Sequence, residues 1–65
     1  MADLIEEVFN IVDVVPERKM QSVEVQKRIC EKFSEFHTGD VRRAIRLLVD
    51  TDRARLESGN ILVLN

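Results

Sequence analysis

One cysteine, Cys30, and one histidine, His37, are the only Cys or His ligands in this 65-residue chain. A lone thiol cannot close a loop within its own chain, so no disulfide staples the fold and a reducing compartment is expected. A structural zinc site needs about four Cys or His ligands at short spacings. Two do not suffice, and no metal is expected. With a single histidine and no glycine-rich phosphate loop, the chain also lacks a nucleophile paired with a base. It reads as a non-enzyme that needs no cofactor. The longest apolar runs are Ile11-Val12, Val14-Val15 and Ile61 to Leu64, far short of the ~20 residues that cross a bilayer. The start MADLIEEVF is acidic where a signal peptide is basic. No membrane association and a cytoplasmic location are therefore expected. Two glycines, one proline and no low-complexity tract leave no room for a linker, so residues 1–65 form one domain.

Against these absences stand 45% apolar and 34% charged residues, the balance of a folded globular protein rather than a disordered one. A domain this short buries only about 60% of its unfolded surface, so a dense aliphatic core or a partner must stabilise it.

Hydrophobic periodicity supplies that core. Apolar residues at 4, 5, 8, 11, 12 and 15 recur at the helical period, predicting a helix over 3–15 capped by Asp3 and stopped by Pro16. A second helix over 22–34, opening on the hydroxyl of Ser22, buries Val25, Ile29 and Phe33. It pairs Glu24 with Arg28 and Lys27 with Glu31 on its wet face. Cys30, at the edge of the buried arc, is a small core hydrophobe, and His37 lies in the connection as a capping or exposed residue. A third helix over 38–51, with Thr38 and Asp40 at its start, buries Val41, Ala44, Ile45 and Leu48. Arg42, Arg43 and Arg46 fall within about 100° of one another on the opposite side, forming one basic strip. From residue 53 the period changes to two. Arg53, Arg55 and Glu57 alternate with Ala54 and Leu56, and Ser58-Gly59-Asn60 turns the chain into Ile61 to Leu64, a hairpin over 53–64.

This order of elements resembles the winged helix-turn-helix superfamily, with VEVQKRICEKF as its second helix, TGDVRRAIRLLVD as its recognition-type helix and RARLESGNILVLN as its wing. The expected fold is α+β, mainly helical: three helices and a C-terminal β-hairpin wing. The resemblance further implies an extended segment at Lys19 to Gln21 that pairs with the hairpin. It makes the chain a DNA-binding protein, a small transcriptional regulator whose third helix docks in the major groove of double-stranded DNA. Arg42, Arg43 and Arg46 would face the groove, Thr38 a phosphate, and Arg53 and Arg55 would flank the strip if their strand faces the same way. The Z-DNA-binding branch is excluded, because its recognition-helix tyrosine and wing tryptophan have no counterpart here.

Charge tempers the DNA reading. Residues 1–37 carry five Lys/Arg against eight Asp/Glu, net −3, and residues 38–65 carry five against four, net +1. The positive charge is local rather than global, and the wing tip is uncharged. Two other readings follow. In one, the chain is a winged-helix module for protein contacts, its arginines meeting a partner's carboxylates. In the other, the excess of apolar residues on helix one (Leu4, Val8, Ile11, Val12 and Val15) forms the face of a homodimer, which would place two recognition helices on two half-sites.

Overall fold

A computed structural model describes residues 3–65. Helix α1 spans Leu4–Asp13, strand β1 Lys19–Gln21, helix α2 Ser22–Lys32, helix α3 Thr38–Asp50, and strands β2 and β3 Ala54–Glu57 and Ile61–Leu64. The architecture is α+β: three helices pack on one face of a three-stranded antiparallel sheet of order β1-β3-β2.

Each helix start reflects how its orphan amides are satisfied. Asp3 caps α1, its Oδ1 accepting from the Ile5 amide at 3.1 Å. The caps of α2 and α3 each lie one residue earlier than Ser22 and Thr38. The cap of α2 is Gln21, which also ends β1, and the Ser22 amide donates to the Asn60 carbonyl at 2.9 Å. The hairpin thus fills the place of a side-chain cap. The cap of α3 is His37, whose amide donates to Asp40 Oδ2 at 3.0 Å. That reach-back of an N3 carboxylate is half of a capping box.

The helices end earlier than periodicity alone predicts. Helix α1 stops at Asp13 rather than 15, because Pro16 disfavours helical geometry at Val15 and the Val15 amide turns back to the Val12 carbonyl at 3.1 Å. Helix α2 stops at Lys32 rather than 34. Phe33 is already extended (φ −128°, ψ 102°) and stacks edge-to-face with Phe36, ring centroids 5.8 Å apart. Helix α3 ends one residue short of 51, at Asp50.

The core is aliphatic throughout. Val8, Val12, Val25, Ile29, Val41, Leu48 and Leu62 are fully buried, with Met20, Ala44, Ile45, Ala54 and Leu64 packed among them. Strand register sorts the sheet residues. Met20, Leu62 and Leu56 oppose one another across the three strands, as do Ala54 and Leu64, all on the face toward the helices. Lys19, Val63 and Arg55 form a row on the other face. Lys19–Gln21 is extended and pairs with hairpin strand β3.

Candidate nucleic-acid interface

The outward side of α3 follows from its inward side. Burying Val41, Ala44, Ile45 and Leu48 at ~100° per residue leaves Arg42, Arg43 and Arg46 facing away from the core, and all three are exposed. They line one open groove of about 650 Å³, shared by the first two turns of α2 (Ser22, Val23, Gln26), by α3 from Gly39 to Arg46, and by Leu56 and Asn60 of the hairpin. No aspartate or glutamate lines it.

Ion pairing separates Arg42 and Arg43 from most other cations of the chain. Arg18 pairs with Asp13, Lys19 with Glu17, Arg28 with Glu24, Lys32 with Glu7, Arg53 with Glu6, and Arg55 with Glu57. Arg46 pairs with Asp50 at 3.5 Å, the same distance as Lys19–Glu17, and both side chains of the Arg46–Asp50 pair are more than half exposed. Among the described residues, the cations without a carboxylate at ion-pair distance are Lys27, Arg42 and Arg43. The anticipated Lys27–Glu31 pair does not form, although the Glu24–Arg28 pair does, at 3.2 Å. Lys27 lies four residues after Val23, on the same side of α2. The unpaired positive charge therefore gathers on the α2–α3 side.

The hairpin arginines do not join it. Arg53 precedes β2, where Asp52 has a positive φ of 62°, and it is directed onto α1. Its Nη1 lies 2.7 Å from Glu6 Oε2 and its guanidinium 4.7 Å from the centre of the Phe9 ring. Hydrogen bonding and the charge of Arg53 lower the Glu6 carboxyl below its usual value and raise the guanidinium of Arg53 in return. Arg55 stands in the outer row of the sheet, opposite the face that carries Leu56. There it contacts Glu57 at 3.2 Å and Asn65 Oδ1 at 3.0 Å. Alternation along β2 sends it away from α3. Thr38 is the exposed first residue of α3, but the next residue, Gly39, is the one that lines the groove.

Two apolar groove residues escaped the sequence reading. Val23 is 65% exposed and Leu56 45%. A β-branched residue in the second position of α2, off the Val25–Ile29 arc, was the available signal for the first. The second depends on how far the helices extend over edge strand β2, where Ala54 is buried and Leu56 is not.

The proposed dimer face is also redrawn. Val8 and Val12 are fully buried in the chain's own core and cannot meet a second copy. Leu4, Ile11 and Val15 remain half-buried. Cys30 is half-buried against the core, His37 is the exposed cap of α3, and no cluster of metal-ligating side chains occurs among the described residues. No helix in this range is long and apolar enough to cross a membrane. No family model, no curated protein and no solved structure matches the chain.

Proposed function

We propose that this chain is a cytoplasmic winged helix-turn-helix protein, a small transcriptional regulator that lays α3 in the major groove of double-stranded DNA. One observation carries the reading: three guanidinium groups of one helix line a single groove that no carboxylate shares, in a chain whose net charge is −2. The element order and the β1-β3-β2 sheet are compatible with that superfamily. A helix about 10–12 Å across fits the ~12 Å major groove. Arg42 and Arg46, one turn apart on α3, reach base edges or phosphates together, with Arg43 beside them. Arginine suits both tasks, since its fork bonds guanine O6 and N7 and also neutralises phosphate.

The interface is narrower than the sequence suggests. With Arg53 and Arg55 engaged elsewhere and Ser58-Gly59-Asn60 uncharged, the hairpin brings no cation to the duplex. Binding rests on three arginines, supplemented by Lys27. Titration against mixed-sequence duplex DNA at several salt concentrations tests this. A log-log slope of roughly −3 is expected for about three phosphates neutralised, with loss of binding in Arg46→Glu. No binding at low salt overturns the reading.

A further inference from the structure

DNA binding uses the charges of the α2–α3 groove and leaves its apolar side chains without a role. Val23 and Leu56 border the groove, and the nearly buried Ile45 forms part of its lining between them. Leu56 is the outer member of the row Met20–Leu62–Leu56. The first two are covered by the helices, whereas Leu56, on edge strand β2, overhangs the groove at 45% exposure. Val23 projects from the opposite wall at 65% exposure. Duplex DNA offers such side chains little beyond thymine methyl groups, since the rest of its surface is phosphate, sugar and polar base edge. An apolar strip walled by three guanidinium groups and no carboxylate has a different complement.

We propose that this groove docks an acidic segment of a protein partner. One or two aliphatic side chains of the segment sit over Ile45 between Val23 and Leu56, and flanking carboxylates meet Arg42, Arg43 and Arg46. The fork of arginine bonds a carboxylate through two parallel N–H donors, and a groove of about 650 Å³ is of the size that takes a few side chains of a short peptide. Because the same guanidinium groups serve duplex DNA in the preceding reading, such a segment competes with DNA. The proposal stands without that reading, since Val23 and Leu56 carry it.

The test pans the full chain against a displayed library of random peptides and measures one enriched sequence, made synthetically, by fluorescence anisotropy. Enrichment of Asp and Glu together with Leu, Ile, Val or Phe is expected. The combined Val23→Ser and Leu56→Ser variant weakens the peptide about tenfold or more, while its circular dichroism stays unchanged; Arg46→Glu weakens both ligands. In the unaltered chain, peptide addition shifts the methyl resonances of Val23 and Leu56. The proposal is overturned if no acidic–aliphatic sequence is enriched, if the serine variant binds the peptide as before, or if those methyl resonances do not move. A chain that binds the peptide in this way but no duplex sinks the DNA reading alone.

Discussion

Arg53 Nη1 lies 2.7 Å from Glu6 Oε2, joining the entrance of the hairpin to the first turn of α1, with Phe9 beneath the guanidinium. The pair couples an N-terminal element to a C-terminal one in a chain with no disulfide, and it has a pH signature. The Glu6 carboxyl is lowered from its ordinary value of 4.5 by Arg53. Its contribution is therefore present above that ordinary value and is lost as pH falls through the lower, folded one. Thermal unfolding from about pH 7 to about pH 3 should show a shallower acid decline in Glu6→Gln than in the parent chain. The difference should shrink at high salt, because both side chains are exposed. Parallel declines would mean that the pair adds nothing to stability.

The surroundings of each arginine predict unequal effects on DNA. Arg42→Ala removes a cation with no competing carboxylate, so affinity should fall uniformly across sequences or relax at one base pair. The salt slope should drop by about 1 if its partner is a phosphate. Arg55→Ala, on the outer face of the sheet, should leave both affinity and slope unchanged. Fluorescence anisotropy at two salt concentrations separates the cases. Equal losses in the two variants would show that the whole positive charge of the chain, not the α3 strip, drives binding.

Asp50 opposes the strip. It ends α3, where an acid is unfavourable with the helix dipole, and it holds Arg46 only loosely at 3.5 Å. In Asp50→Asn, removing the dipole conflict gains about 0.3–1 kcal/mol, and losing an exposed i,i+4 pair costs about 0.3–0.5 kcal/mol. The net change in stability should lie between a loss of about 0.2 and a gain of about 0.7 kcal/mol. Duplex affinity at low salt should rise about two- to fivefold, as a negative charge near phosphate is removed. An unchanged affinity would place Asp50 outside the interface.

What the sequence reveals and what it withholds follow from the range of the forces involved. The arginine strip is readable because helical period is local: once Val41, Ala44, Ile45 and Leu48 face the core, the direction of Arg42, Arg43 and Arg46 is determined by ~100° steps. The hairpin is readable for the same reason, through Gly59 and Asn60. Arg53 is not, because its direction depends on the left-handed turn at Asp52 and on where α1 docks. Nor is the exposure of Leu56, whose alternation matches the buried Leu62: it lies on edge strand β2 beyond the cover that the helices give Met20, Ala54 and Leu62. The α1 stripe misleads in the other direction. Val8 and Val12 look like surplus apolar surface until α2, α3 and β3 are packed over them.

The hairpin tip offers a last separation of fold from function. Gly59 and Asn60 have φ of 82° and 59°, the left-handed region that side chains with a Cβ adopt at a cost. A Cβ added at Gly59 would meet no atom within 4 Å, so Gly59→Ala is opposed by backbone strain alone, about 1–2 kcal/mol. Chemical denaturation should show that loss with an unchanged m-value, since the same surface is exposed on unfolding. Under conditions where the variant remains folded, its affinity for duplex DNA should equal that of the parent chain, because the tip carries no cation. A weaker affinity in the folded variant would show that the tip touches the duplex and that the interface extends beyond α2 and α3.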